Sequence, residues 1–422
     1  MIVLLTGATG FIGRHLHKAL REAGHRVIAA GRGLSGRDTL EADFTRDTGE
    51  IHWRPRLAGV DVIVNAAGVF LDRPRGSMRL IHSAGPRALF SAAAQAGVRR
   101  VIQISALGAD SRATEYFQTK DEADRHLMSL PIEWAVLRPS VVFGIGGRTA
   151  TWLMRLATAP VMVLPRAFRS AVQPVHVDDL VAAVVSLVAS TDLPRAPVPV
   201  VGGKAASLEA VLVSLRRQLG YGAAVSLLLP DWLMRLGGRL PPLSYEGYLD
   251  EPALRMLRAG HTADAGALGK LLRRWPRSFE HFVPRGIAPA LGAQAALDWL
   301  LPVLRLSIAG LWIWSAVVSV WLYPVEQSER LLAEVGIPQS MQSAALWIAA
   351  GLDFILGMSV LLWPRSARIW GAQIALVTAY TLVISIWLPQ YWVHPFGPVS
   401  KNLPLLAAMY LLRRLSMRRW NT

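Results

Sequence analysis

The sequence predicts an α/β domain built on a doubly wound parallel sheet with a small substrate lobe, followed by a C-terminal bundle of four transmembrane helices. Three observations carry this expectation. Apolar segments of strand length alternate with helical segments through roughly the first 290 residues. The chain opens on MIVLLTGATGFIG, an apolar run followed by glycines at every third position. From Trp299 onward the chain turns apolar and Trp-rich, holding ten of the fifteen Trp.

A chain of 422 residues is too long for one ordinary core. The divisions are read as 1–290 for the first domain, of which 144–290 is mainly substrate lobe and connector, and 298–415 for the membrane part. Hydrophobic content of 52% and a mean hydropathy of +0.34 are high for a soluble protein. There is no Cys, which excludes disulfides and thiolate metal sites. The net charge of +16 comes from 40 Arg and 5 Lys. No helix-turn-helix, zinc knuckle or aromatic–basic platform accompanies it, so no nucleic-acid partner is expected. Positive-inside bias and attraction to anionic lipid heads account for the charge. The opening apolar stretch is five residues long without a basic leader, which does not fit a signal peptide.

The N-terminal motif carries the first chemistry. Ile2 to Leu5 read as a buried strand, and RHLHKALREAGH as the helix after the turn. Gly7 permits the tight turn, Gly10 lets backbone N–H groups approach a pyrophosphate, and Gly13 lets the helix pack on the strand. The helix N-terminus adds a partial positive charge. This is a dinucleotide site.

The following strands locate the rest. HRVIAAGR is the second strand, and no acidic residue closes it. An NAD-specific site would place Asp or Glu there for the ribose 2′-hydroxyl. Arg32, with Arg37 nearby, suits a 2′-phosphate instead, so NADP is favoured over NAD. EADFT places Asp43 near the end of the third strand, and VDVIVNAAG is the fourth, ending in Asn65 to Gly68. VRRVIQISA is the fifth strand, with Ser105 at its carboxyl end, the edge where such sheets bind ligands. YFQTK follows eleven residues later, and its Tyr116 and Lys120 share one face of a helix running to about Met128. With eight Tyr and five Lys in the chain, that pairing is expected far less than once by chance. A phenol of pKa about 10 is a poor acid–base group near neutrality unless a cation stabilises its phenolate. Lys120 can do so while bonding a ribose, and Ser105 can orient a carbonyl. In HVDDL, His176, Asp178 and Asp179 are read as the capped start of a helix, with no metal site.

Together TGATGFIG, NAAG, Ser105, YFQTK, LRPSVVFG and HVDDL resemble the short-chain dehydrogenase/reductase superfamily over about residues 1–290. The likeness is to its extended or atypical, epimerase/dehydratase-like members, in the branch of the nucleotide-binding accessory subunit of respiratory complex I. The resemblance implies a Rossmann-type fold and catalytic positions at Ser105, Tyr116 and Lys120. It implies cofactor contacts at Thr6, Gly7, Thr9, Gly10, Phe11, Ile12, Gly13, Arg32, Asp43, Ala66, Ala67, Gly68, Tyr116, Lys120 and Pro139. The Ser-to-Tyr interval is short for the sugar epimerases of that superfamily, which speaks against a nucleotide sugar.

In the C-terminal third, Leu306 to Leu322 and Ile369 to Leu388 hold no charge, and Ala344 to Trp363 only Asp353. Each meets the length of about 20 residues that a span needs. A shorter fourth stretch, about Phe396 to Leu412, holds Lys401 and Pro404. Glu326, Glu329 and Glu334 dominate the first loop, Arg365 and Arg368 the second, and Arg413, Arg414, Arg418 and Arg419 the tail. That alternation predicts a multi-pass inner-membrane protein with both termini and the nucleotide domain cytoplasmic. Trp321, Trp363, Trp387, Trp392 and Trp420 fall near span ends as interfacial anchors. Asp353 within its span is either functional or held by a partner inside the bundle. Trp299, Arg305, LWIWSAVVSVWLYP, Asp353 and HPFGPVSKNLPLL resemble the DoxX-like membrane family over roughly residues 298–415. Basic, Trp-rich LLLPDWLMRLGGRLPPL is read either as lobe core and loops or as a surface resting on lipid headgroups.

The expected activity is NADP-dependent reduction or oxidation of a carbonyl or hydroxyl on a lipid-like or quinone-related small molecule at the membrane. The alternatives are an NADP(H)-binding scaffold or assembly factor for a membrane complex and, less favoured, a nucleotide-sugar epimerase.

Overall fold

The computed structural model describes residues 1–70, 72–233, 251–258, 260 and 262–417. It forms two compact units, Met1–Ala296 and Leu297–Thr422. Trp420, Arg418, Arg419 and the LLLPDWLMRLGGRLPPL segment from residue 234 onward lie outside the described residues.

Unit 1 is organised by a seven-stranded sheet of β1 (Ile2–Thr6), β2 (Arg26–Gly31), β3 (Thr39–Glu41), β4 (Val62–Asn65), β5 (Arg100–Ile104), β6 (Glu133–Pro139) and β7 (Val198–Val200). Every pairing is parallel and the spatial order is 7-6-5-4-1-2-3. The order reverses between β1 and β4, where a crevice must open at the carboxyl edge. This is a Rossmann-type sheet. Asp43 lies two residues beyond β3, because the strand is Thr39–Glu41 and not EADFT.

Strand side chains alternate between two cores, as a period of two requires. Val3, Leu5, Val62, Val64, Ile102 and Leu137 enter one; Leu4, Ile63, Val101 and Val136 enter the other. Because both faces are covered, these strands read as continuous apolar runs. The helices are α1 (Phe11–Glu22), α2 (Gly85–Gln95), α3 (Glu115–Met128), α4 (Arg148–Thr158), α5 (Val177–Ala189) and α6 (Leu208–Gln218). Leu16 and Leu20 of α1 pack with Leu180, Val184 and Leu187 of α5 on the first face. Phe90 and Ala93 of α2 and Leu127 of α3 cover the second. A third core joins α4, α6 and the Val161–Pro165/Val225–Leu229 strand pair as the smaller lobe.

Two buried arginines close helix ends whose carbonyls would otherwise lack partners. Arg100 donates to the carbonyls of Leu187 and Val188 (3.1 Å for the latter) at the end of α5, and to Glu133 at 3.0 Å. Arg216 donates to Ala157 and Ala159, each at 2.8 Å, at the end of α4. The HVDDL segment departs from expectation. His176, not an aspartate, caps α5 by accepting from the Asp178 N–H at 3.3 Å. Asp179 instead binds Arg274 and the Arg277 N–H (2.7 Å), tying α5 to the chain that returns from the lobe.

Unit 2 is built from α7 (Ala288–Val317), which begins in unit 1, α8 (Gln339–Leu362), α9 (Ala367–Trp387) and α10 (Asn402–Met417). Among the described residues three helical stretches are long and apolar enough to cross a membrane: Ala288–Leu322, Gln339–Leu362 and Ala367–Trp387. The fourth stretch folds later than expected, its helix covering Asn402–Met417 among the described residues. It still shares the bundle core, Met409 and Leu412 packing with Trp370, Val377 and Trp312. Ile348, Ile355 and Ile386 remain 70%, 62% and 65% exposed, a surface suited to lipid and not to water. The acidic loop contains its own helix, Val325–Glu334.

Arg100→Leu should free the two α5 carbonyls and fray the helix end. Hydrogen-exchange mass spectrometry is expected to show exchange faster by roughly tenfold or more in the last turn of α5, with α1 nearly unchanged.

Candidate functional site

The β1–α1 turn leaves no space for side chains at its glycines. Gly7 has φ +67°, and a Cβ there would lie 2.7 Å from both the Ala66 carbonyl oxygen and the Ala67 nitrogen. A Cβ on Gly13 would overlap the Gly7 carbonyl, which already accepts from the Gly10 N–H at 3.0 Å. Below the turn, the Thr6 hydroxyl donates to Asn65, Asn65 Nδ2 donates to Gln103 Oε1 at 2.7 Å, and the Ala67 N–H bonds Asn65 Oδ1 at 3.3 Å. This network fastens the ends of β1, β4 and β5 together.

Two hollows adjoin along that edge. The first, about 180 Å³, is lined by Thr6, Gly7, Thr9, Gly10, Arg32, Asp43 and Ala66–Val69. Asp43 accepts from the Thr45 N–H (2.9 Å) and hydroxyl (2.8 Å). Burial pushes its carboxyl up, but the Thr45 bonds and the charges of Arg32 and Arg46 outweigh that and hold it below the usual range. The second hollow, about 380 Å³, shares Ala66–Val69 and is lined by Phe11, Ile12, Ser105, Tyr116, Lys120 and Pro139. The residues singled out as catalytic or cofactor contacts therefore face one crevice, except Gly13, which acts by letting α1 approach; Arg37 is not among the residues lining either hollow. Most of the crevice's remaining lining is apolar: Phe70, Leu107, Val142, Trp152, Leu153, Leu208, Met256 and Leu257.

Helix α3 places Tyr116, Lys120 and Asp124 at intervals of four, and Thr114 caps its start. Lys120 Nζ donates to the Ile104 carbonyl at 3.1 Å and reaches the Ala67 carbonyl at 3.5 Å. Burial pushes Lys120 down to about 8, partly offset by the Asp124 charge. Burial likewise pushes the Tyr116 phenol up to about 12. In this arrangement, without a bound dinucleotide ribose, the ammonium is engaged with backbone carbonyls and burial sets the direction of the phenol. Ser105 also differs from expectation. Its hydroxyl donates to Asp124 Oδ2 at 2.7 Å, so it presents an accepting oxygen to the crevice. Arg138 Nε bonds the same Asp124 oxygen at 3.2 Å. Burial pushes the Asp124 carboxyl up, while Ser105, Arg138 and Lys120 draw it down without cancelling that.

His82 escaped the sequence reading. It is buried, accepts from the Val69 N–H at 2.9 Å, and stands edge-on to Tyr116 with ring centres 5.2 Å apart. Burial, then the Lys120 charge, holds it neutral, well below the usual histidine range. It lies in a π-helical segment, Leu80–Ala84, whose periodicity gives no signal. Asp124 was legible, four residues beyond Lys120 on the same helix. Among the described residues no His/Asp/Glu cluster suits a metal ion.

Comparison with known proteins accords with this geometry. Residues 7–149 match the NAD(P)H-binding family, and residues 309–410 match the DoxX-like family. The chain joins an NAD(P)-binding domain to a DoxX-like membrane domain. Over 196 residues the chain is 31% identical to a ceramide reductase of Caulobacter vibrioides, covering 44% of this chain and 60% of that one. Over 200 residues it is 26% identical to the mitochondrial NADH dehydrogenase [ubiquinone] 1 alpha subcomplex subunit 9 of Arabidopsis thaliana, covering 44% and 50%. The chain thus spans three-fifths or less of the length of these relatives. Two solved structures share the fold of the NAD(P)-binding domain. UDP-glucuronic acid 4-epimerase of Bacillus cereus, bound to UDP-glucuronic acid and NAD, has a TM-score of 0.51 at 16% identity, covering 72% of this chain and 100% of that one. An NADPH-dependent quinone oxidoreductase of Escherichia coli, bound to NADPH, has a TM-score of 0.52 at 18% identity, covering 66% and 97%.

The crevice residues fit a dinucleotide, the glycine cradle being space that any Cβ would fill. Gly13→Ala should weaken NAD(P)H binding at least tenfold, read by quenching of intrinsic fluorescence. Lys120 gives a second expectation. With its pKa near 8, roughly nine-tenths of it is uncharged at pH 9, and an anionic dinucleotide nearby must draw the proton back. Calorimetry in buffers of different ionisation enthalpy should show uptake approaching one proton per dinucleotide at pH 9, little at pH 6.5, and none in Lys120→Met.

Proposed function

We propose that the chain is an NADP(H)-dependent oxidoreductase of the short-chain dehydrogenase/reductase type, acting on the carbonyl or hydroxyl of a lipid-like or quinone-related substrate at the inner membrane. The observation that carries this is the 380 Å³ hollow, where Ser105, Tyr116 and Lys120 meet walls of Phe, Leu, Met and Trp side chains. Such walls exclude water and favour an apolar ligand over a nucleotide sugar. The likeness to a protein named ceramide reductase supports a lipid carbonyl. Arg32, in the adjoining hollow where an acidic residue would select NAD, supports NADP. The loop charges support cytoplasmic termini and a cytoplasmic nucleotide domain.

A bound nicotinamide would supply or accept the hydride. Tyr116 supplies the proton to the substrate oxygen, and Lys120, released from the Ile104 carbonyl, holds the ribose and lowers the phenol. Ser105 can donate to a substrate carbonyl only when its own acceptor faces Asp124. That requires a protonated Asp124, whose raised carboxyl makes this accessible above the ordinary value of about 3.9. A second reading, an NADP(H)-binding scaffold within a membrane complex, is favoured by one observation: a phenol held at about 12 beside an occupied ammonium.

Tyr116→Phe discriminates the two readings. It should abolish substrate-dependent NADPH oxidation by a factor of 10² or more while leaving NADPH binding within twofold; unchanged activity removes Tyr116 from the mechanism. Arg32→Ala should reduce the NADPH-over-NADH affinity ratio about tenfold. Reduction by the wild type should rise as pH falls through the Asp124 titration. Asp124→Asn, whose amide donates to Ser105 at every pH, should flatten that limb.

A further inference from the structure

The membrane unit contains a polar strip that the nucleotide chemistry does not use. Asp353, near the middle of α8, is 6% exposed. Ser315 of α7 donates to its Oδ2 at 2.9 Å, and Tyr380 of α9 brings its hydroxyl to the same carboxyl. Oδ1 has no hydrogen-bond partner. One turn back along α7, Trp312 Nε1 donates to Oε1 of Gln373 on α9 at 3.0 Å. Gln373 is fully buried, and its Nε2 has no partner either. Gly357, one turn beyond Asp353, sets this arrangement. A Cβ there would lie 2.8 Å from the Ile313 side chain and 3.1 Å from the Ala309 carbonyl, so α7 and α8 meet only because it is glycine.

A purely structural role does not account for the strip. Unsatisfied polar groups are costly in an apolar bundle, and here an acceptor and a donor are both left over. Among the described residues no cation pairs with Asp353. Trp312 and Ser315 are three residues apart on α7, and their partners Gln373 and Asp353 lie on the neighbouring helices α9 and α8. An orphan acceptor and an orphan donor on helices that share α7 as a neighbour, without a basic side chain, select a neutral ligand over a phosphate head.

We propose that Asp353 and Gln373 form a binding site for a neutral, lipid-soluble molecule carrying a hydroxyl beside a hydrogen-bond-accepting oxygen. The hydroxyl donates to Asp353 Oδ1, and the second oxygen accepts from Gln373 Nε2. Ser315, Tyr380 and Trp312 position the two side chains. Hydroxylated acyl amides and alkyl-substituted quinols both carry this chemistry. The inference is independent of the reductase reading, since it concerns the membrane unit alone.

The test uses the full chain in phosphatidylcholine nanodiscs and a diazirine-bearing long-chain N-acyl amino alcohol, with crosslinks mapped by mass spectrometry. Saturable labelling is expected on peptides containing Ser315, Asp353 and Tyr380. Asp353→Asn and Gln373→Leu should each reduce it at least fivefold while NADPH binding and the melting temperature stay near wild type. Should Asp353→Asn fail to fold, Gln373→Leu, which keeps the carboxyl, carries the test alone. Competition by unlabelled N-acyl amino alcohol identifies a lipid source, and competition by decyl-benzoquinol alone identifies a quinol. Labelling that does not saturate, or that survives both substitutions, overturns the proposal, whatever the outcome for Tyr116→Phe.

Discussion

The structure of the first unit depends on one steric constraint, the contact of backbone with backbone where β1 turns into α1. The Gly7 carbonyl is packed against Gly13, and Gly7 itself against the Ala66–Ala67 peptide. These contacts bring the N-terminus of α1 and the end of β4 within reach of one ligand. A single methyl group at either position would separate them. The Thr6–Asn65–Gln103 bonds then hold the three strand ends in register from below. The turn is shaped by backbone geometry, so phosphates of a bound dinucleotide would meet N–H groups there and the side chains around it need carry no charge.

The reactive end follows the opposite logic. There the backbone is fixed by β5 and α3, and buried polar side chains determine what the crevice can do. Lys120 and Asp124 occupy successive turns of α3, with Arg138 closing the set from β6. Each charge is compensated by a neighbour, so the state of one is coupled to the next. The phenol at about 12 and the ammonium at about 8 describe an arrangement in which lysine serves the sheet edge. A dinucleotide ribose competing for Lys120 would redirect that charge toward Tyr116, making cofactor binding and activation of the acid one event.

What was legible in the sequence reflects which interactions are local. The alternation of strand and helix, the turn and the shared face of Tyr116 and Lys120 follow from apolar runs, glycine spacing and the helical period, and the structure has them. The direction of the Ser105 hydrogen bond was not legible, because it depends on Asp124 nineteen residues away reaching back under the sheet. His82 was hidden by a π-helical segment without a usable period. The cap of α5 was misassigned to an aspartate because the acids are recruited by Arg274 and Arg277, about a hundred residues later. The fourth apolar stretch was placed about six residues too early, as Phe396 to Lys401 form a loop and the helix starts only at Asn402.

The two polar clusters obey the same rule in different solvents. In unit 1 the buried Asp124 is matched on Oδ2 by the Arg138 cation and Ser105, though its Oδ1 has no hydrogen-bond partner. In unit 2 the buried Asp353 has only neutral partners, since a compensating cation within lipid would carry its own desolvation cost. A carboxyl with one oxygen left without a hydrogen-bond partner is a less complete arrangement than the bundle core around it, where Trp312, Val360 and Met409 are buried together. Apolar residues at 312, 315, 353, 373 and 380 together would leave no orphaned side-chain atoms. Retaining a carboxyl and an amide there makes physical sense when something polar and uncharged completes them.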